Sequence, residues 1–148
     1  HPQLEVPVFA ETLEEFRGNT SQIFHGILLD APCSGTGVAG RHPDIRWNRR
    51  EEDFKKYQQT QIALLQSAAG LLAPGGIVLY ATCSLEEEEN EQVIETFLAE
   101  HPEFSLQNCQ QPPLEDAGNL FRNGFFAPLP QQGMDGFFGA RLQKNAQK

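Results

Sequence analysis

The sequence predicts an α/β protein built on a mainly parallel sheet that ends in an antiparallel hairpin. Three observations carry that expectation. Ile27-Leu28-Leu29 is a short apolar run of the kind that makes a buried strand in a parallel sheet, and it leads into Asp30-Ala31-Pro32-Cys33-Ser34-Gly35-Thr36-Gly37. A second apolar run, Ile77-Val78-Leu79-Tyr80-Ala81, leads into Thr82-Cys83-Ser84. Between the two lies a long helical pattern, and strand, helix, strand in that order implies a right-handed parallel crossover. Both strands end in Cys-Ser, so both thiols fall on one rim of one sheet. Open α/β sheets place their ligands outside the carboxyl ends of their strands.

The chain in order supports this frame. Leu4, Val6 and Val8 alternate and suggest a strand near the start, although Pro7 argues against a central one. Thr12 to Phe16 fits a short helix, and Gly18-Asn19-Thr20-Ser21 a turn before the Ile27 strand. Arg41-His42-Pro43-Asp44-Ile45-Arg46-Trp47 is too interrupted by proline for regular structure. From about Glu51 to Leu72 a helix is expected, because Phe54, Tyr57, Leu64, Leu65, Ala68, Leu71 and Leu72 recur near the helical period. Pro74-Gly75-Gly76 stops it.

Ser84-Leu85-Glu86-Glu87 has the form of a capping box that opens a helix to about Glu100. Glu86 to Glu89 then read as a solvated first turn favoured by the helix dipole. From Phe104 to Glu115 the pattern weakens. Leu120-Phe121-Arg122 fits a short strand or turn, and the runs 125–130 and 136–142 flank a Gln-Gln-Gly-Met-Asp turn as a hairpin.

Composition sets outer bounds. At 148 residues with 39% hydrophobic content, the chain fits one domain with a real core. No stretch approaches the roughly 20 apolar residues of a membrane span, and no signal-peptide pattern opens the chain. An odd count of three cysteines argues against a secreted disulfide framework and for a reducing, cytoplasmic setting. Cys109 has no partner motif and reads as incidental, and no metal site is expected. The net charge of −9 sits awkwardly with phosphate binding. The bases are nevertheless segregated into Arg41, Arg46, Arg49, Arg50, Lys55 and Lys56, so a basic patch can coexist with an acidic total.

A cysteine beside a carboxylate on a strand rim suits attack on an electrophilic carbon such as pyrimidine C6, which makes C5 nucleophilic toward a sulfonium methyl donor. Each residue also has a plainer reading. A strand-end cysteine can be an inert small core residue, Asp30 can cap a turn, and Gly35 and Gly37 can serve tight backbone bends rather than a phosphate loop. Arg41, His42, Arg46 and Trp47 suit RNA by charge and stacking. Equally, Asp44 can pair with a neighbouring arginine while Trp47 packs in the core.

Taken together, 30–37, Arg41-His42-Pro43-Asp44 with Trp47, Pro74-Gly75-Gly76, 81–84 with Glu88-Glu89-Asn90, and Asp135-Gly136-Phe137-Phe138 resemble one family in order and spacing. That family is the Sun/Fmu-type bacterial tRNA/rRNA (cytosine-5)-methyltransferases, and the likeness covers about residues 26 to 142. The resemblance implies a Rossmann-like methyltransferase sheet that uses S-adenosylmethionine on RNA, ribosomal rather than transfer. It implies Cys83 as the nucleophile and Cys33 as the thiol that assists product release. Asp30 would contact both base and cofactor, with Ala31 and Pro32 beside it on the cofactor side. Arg41, His42, Arg46 and Trp47 would meet RNA. The family's glycine-rich cofactor loop and amino-terminal RNA-binding domain find no counterpart before Asp30. Residues 1–148 therefore read as the carboxyl-terminal part of a catalytic domain, inactive by itself, with an exposed sheet edge that invites dimerisation. Two alternatives stand beside this reading. One is a DNA-type mechanism with Cys33 as nucleophile, and the other a non-catalytic RNA-binding or assembly module.

Overall fold

A computed structural model describes residues 7–108, 120–131 and 134–146. Helices α1 (Leu13–Asn19), α2 (Ile45–Asn48), α3 (Glu51–Gly70) and α4 (Glu91–Glu100) accompany strands β1 (Phe24–Asp30), β2 (Leu72–Thr82), β3 (Phe104–Leu106), β4 (Phe121–Arg122), β5 (Phe125–Phe126) and β6 (Phe138–Lys144). One mixed sheet runs in the order β1-β2-β6-β5-β4, with β3 pairing on β6. β1 and β2 are parallel, in register from Gly26 opposite Ile77 to Asp30 opposite Ala81. β6 lies antiparallel along the other side of β2, from Gln143 opposite Ile77 to Phe138 opposite Thr82.

The expected strand–helix–strand unit is present. Parallel pairing is confined to it: the β2–β6, β3–β6, β4–β5 and β5–β6 pairs are all antiparallel. The two-residue turn between β4 and β5 allows only an antiparallel pair, because a parallel crossover needs a dozen or more residues. Segments 125–126 and 138–144 pair antiparallel as the hairpin pattern predicts, through Phe126 opposite Gly139. Gln132 and Gly133 of its turn lie outside the described residues, as do Leu4, Val6 and Cys109. Residues 7–10 form no strand, and Val8 is exposed.

α1 starts on a true capping box, in which the Thr12 hydroxyl accepts from Glu15 N and the Glu15 carboxylate accepts from Thr12 N. α3 is held by a buried stripe of Gln61, Leu65, Ala68 and Ala69. It ends at Gly70, and the Pro74-Gly75-Gly76 bend falls inside the leading end of β2, where Gly75 takes φ +76°. The core gathers Leu65 of α3, Val93, Ile94 and Phe97 of α4, Val78 and Tyr80 of β2, and Phe138 and Leu142 of β6.

Three further expectations are corrected. The segment after the Cys33 loop is not irregular throughout, since Ile45–Asn48 forms a short helix. β1 is not buried on both faces. It is an edge among the described strands, with Leu28 70% exposed, while Ile27 and Leu29 face the core. Nor does Ser84 open a capped helix: Glu87–Glu89 forms a 3-10 turn, and α4 begins at Glu91. The reason lies in the tertiary contacts of Ser84 and Glu89.

Candidate active site

Parallel pairing brings the carboxyl ends of β1 and β2 level, since Ala31 N donates to Ala81 O at 2.9 Å. The two loops that follow then run side by side. Cys33 Sγ lies 3.3 Å from Cys83 Sγ, and both are half-buried free thiols. Ser34 Oγ lies 3.2 Å from Ser84 Oγ directly behind them. The loops are stitched by backbone. Gly35, at φ +75°, turns the chain into the Thr36–Val38 3-10 turn, and Gly37 N donates to Cys83 O at 2.9 Å. Gly136 N in turn donates to Gly37 O at 2.9 Å. A Cβ on Gly37 would sit 2.3 Å from Gly136 O, so only glycine permits this three-way junction. Three segments quoted from the sequence (30–37, 81–84 and 135–138) therefore converge on one spot. Gly35 and Gly37 serve the backbone bends.

Beneath the thiols lies a buried polar layer. The Glu89 carboxylate accepts Ser34 N and Gln61 Nε2, each at 2.9 Å, through Oε2. Through Oε1 it accepts Ser84 Oγ at 2.7 Å and the Ser34 hydroxyl. Tyr80 OH donates to Glu89 O at 2.7 Å, and Thr82 Oγ1 to Asn90 Oδ1 at 2.7 Å. Asn90 Nδ2 closes the layer on Ser84 O at 3.0 Å. Glu89 is thus no solvated first-turn acid; its exposure is 0%. Sequence reasoning missed it, although the signal was present. Glu89 falls on the i, i+4 stripe of Val93 and Phe97, as Gln61 does with Leu65.

Burial, and then the hydrogen bond to Cys83, push the Cys33 thiol up to about 12. Burial and the neighbouring Glu89 charge raise the Tyr80 phenol. Asp30 is exposed at the strand end, and its carboxylate forms no hydrogen bond or ion pair with a described residue.

Arg41, His42, Arg46 and Trp47 all lie on the exposed segment that follows the Cys33 loop. Trp47 is 87% exposed, so the reading in which it packs as core is overturned. Asp44 stands at the amino end of α2 without an arginine partner; Arg41 pairs instead with Asp135 across the loops, its Nε donating at 3.1 Å. Arg49 Nε donates to Ser34 O at 2.8 Å. Between them opens a cleft of about 540 Å³, floored by Ile45, Phe54, Leu85 and Pro130 and edged by Arg46 and Arg49. No group of acidic, histidine and cysteine side chains among the described residues is arranged to hold a metal ion.

The described sheet matches those of solved methyltransferase structures. The crystal structure of NSun6 from Pyrococcus horikoshii with SFG matches 97% of this chain and 36% of its own, at 25% identity and TM-score 0.79. A methyltransferase homologue from the same organism matches 95% of this chain and 45% of its own, at 33% identity and TM-score 0.72. The sequence model of the family described as 16S rRNA methyltransferase RsmB/F matches residues 5–143, and the chain belongs to that family. The ribosomal RNA small subunit methyltransferase B of Klebsiella pneumoniae strain 342 is 46% identical over 88% of this chain. That of Yersinia pestis strain Angola is 44% identical over 83%. The chain spans 28% and 27% of the length of these two relatives.

Proposed function

We propose that this chain is the cysteine-bearing part of an RNA (cytosine-5)-methyltransferase that acts on ribosomal RNA with S-adenosylmethionine. The observation that carries the reading is the approach of Cys33 and Cys83 to 3.3 Å at a strand rim that also holds Asp30. The names of the relatives supply the ribosomal substrate, and the SFG-bound neighbour, an S-adenosylmethionine analogue complex, supports the donor.

The donor fits on one side only. Asp30 offers an unengaged carboxylate at the strand end, with Ala31 buried beside it and Pro32 next in the loop. Among the described residues before Asp30 there is no glycine-rich turn between a strand and a helix. In this reading titration calorimetry of the 148-residue chain with S-adenosylmethionine should register no binding. When bound in the whole protein, the donor supplies an electrophilic methyl group.

The chain's own residues do the rest. The target cytosine leaves its stack, and Asp30 accepts a hydrogen bond from its exocyclic amine. Cys83 Sγ attacks C6, and the C5–C6 π pair moves onto C5, which takes the methyl group. Loss of the C5 proton to a base restores the double bond and breaks the S–C6 bond. Cys33, whose sulfur lies 3.3 Å from Cys83 Sγ, assists that release.

RNA reaches the site over the exposed face of Arg41, His42, Arg46 and Trp47, where guanidinium groups meet phosphate and the indole is free to stack on a base. Two free thiols this close call for a reducing compartment such as the cytoplasm. The edge of β1 offers a pairing surface through which the chain by itself dimerises; a strictly monomeric species in light scattering at high concentration would remove that element.

The deciding experiment uses the whole protein, ribosomal RNA and radiolabelled S-adenosylmethionine. Cys83→Ala should abolish methyl transfer, whereas Cys33→Ala should leave RNA covalently attached to the protein. If Cys33→Ala abolishes attack while Cys83→Ala still transfers methyl, the DNA-type mechanism replaces this one.

A further inference from the structure

Glu89 is placed where no surface role can use it. Its carboxylate is fully buried, and burying a charge is costly unless it is completely hydrogen-bonded. Its four donors come from three separate parts of the chain: Ser34 N and Oγ from the first loop, Ser84 Oγ from the second, and Gln61 Nε2 from α3. Gln61 Nε2 also holds Pro32 O at 2.9 Å, and Tyr80 OH fixes the backbone of Glu89 itself. The two serines that meet on this carboxylate are the immediate neighbours of the two cysteines. The dipeptides form a ladder of two rungs, Ser34 Oγ to Ser84 Oγ at 3.2 Å and Cys33 Sγ to Cys83 Sγ at 3.3 Å.

We propose that Glu89 is a positioning residue: by binding the serine of each Cys-Ser pair, it sets the distance and orientation between the two thiols. The proposal deepens the methyltransferase reading, in which one sulfur must add to the base and the other must reach it at release. Glu89 touches neither base nor donor and acts through Ser34 and Ser84. Two hydroxyls and a backbone amide that converge on one acceptor leave little freedom along the loops. A neutral acid amide cannot reproduce this, because it offers one oxygen where the carboxylate offers two. In either orientation its NH2 faces donors, Ser34 N and Gln61 Nε2 or else the two serine hydroxyls, while the volume of the buried side chain is kept.

The test is made on the whole protein with Glu89→Gln, and with Ser84→Ala as a second variant that removes one rung and one of the four donors to the carboxylate while keeping Glu89 itself. Two readouts are taken. The first, without RNA or donor, is the rate at which diamide joins Cys33 to Cys83; diamide takes up the two electrons and two protons of the thiols and becomes its hydrazine. The second is kcat and KM for methyl transfer. Glu89→Gln should fold, form the disulfide several-fold more slowly, and lower kcat by about 10²-fold with little change in KM, as a misplacement of about 1 Å does. Ser84→Ala should move both readouts the same way by less. Should Glu89→Gln fail to fold, Ser84→Ala decides alone. Wild-type disulfide rates in whichever variant folds overturn the proposal. The two readings fail separately: an unchanged disulfide rate with an inactive Cys83→Ala enzyme removes the positioning role only. A slowed disulfide with an active Cys83→Ala enzyme removes the methyltransferase mechanism only.

Discussion

The loops carrying Cys33 and Cys83 share a dipeptide and a position at the end of neighbouring strands, yet they stand on different foundations. The Cys83 loop leaves β2, which is paired along both sides by β1 and β6, and it is backed by the buried Thr82, Ser84 and Asn90. The Cys33 loop leaves β1, an edge strand, and gains its shape from Pro32, two glycine bends and the Arg49 bond to Ser34 O. One loop is held by the sheet and the other is held by its neighbours. Identical local sequence thus stands on different support, because one loop leaves a strand paired on both sides and the other leaves a strand paired on one side among the described strands.

The sharpest way to break this comparison is thiol reactivity. With its value moved from 9.0 to about 12, Cys33 should alkylate about 10³-fold more slowly than a free cysteine at pH 8, because only the thiolate reacts. Mass-spectrometric labelling by iodoacetamide reads this, and ordinary reactivity at Cys33 refutes it. The same shift sets a sign for stability. Above pH 9 the unfolded chain gives up the Cys33 proton that the folded chain retains, so folding should weaken as pH rises from about 9 toward 12. Cys33→Ser, with its hydroxyl uncharged throughout, should flatten that slope in urea titrations.

Gly37→Ala tests the junction. Its methyl group meets the backbone oxygens of Gly136 and Cys83 at 2.3 and 2.8 Å, neither of which can move independently. The expected loss is about 3 kcal/mol in urea unfolding. Thr82→Val tests the support of the central loop. It removes the bond to Asn90 Oδ1 at 2.7 Å and the acceptor of Ser84 N at 3.3 Å, for about 2 kcal/mol. Wild-type stability in either variant places the support elsewhere. The smallest effect is expected at the edge: Leu28→Lys should change stability by less than about 0.5 kcal/mol and yet reduce self-association in light scattering. A larger loss would mean that Leu28 is packed more tightly than its exposure indicates.

Periodicity made much of the architecture legible. The apolar spacing of α3, the short helix after Thr12, and the two strands with the helix between them are all local patterns, and each appears close to where it is expected. The pairing of two Cys-Ser ends on one rim also followed from pattern, since parallel strands joined by a helix put equivalent ends on the same side. Three details escaped. The Ser84 box gave way because Ser84 Oγ donates to the Glu89 carboxylate and accepts from Glu86 N at 3.1 Å, one residue short of the Glu87 amide that the box requires. Trp47 was open between stacking surface and core, as its segment has no helical or strand period to decide. Glu89 was hidden in a run of four acids whose common reading is a solvated turn.

What the sequence determined by itself was therefore the family, the order of strand and helix, and the two thiols at one rim, because these depend on short-range spacing and on motifs that are themselves contiguous. Only the tertiary structure decided which of four adjacent glutamates is buried, how near the sulfurs come, and which face of the sheet stays bare. Those outcomes depend on partners 28, 50 and 55 residues away along the chain, as in the Gln61–Glu89, Cys33–Cys83 and Ser34–Glu89 contacts. A buried carboxylate is stable only where such distant donors converge.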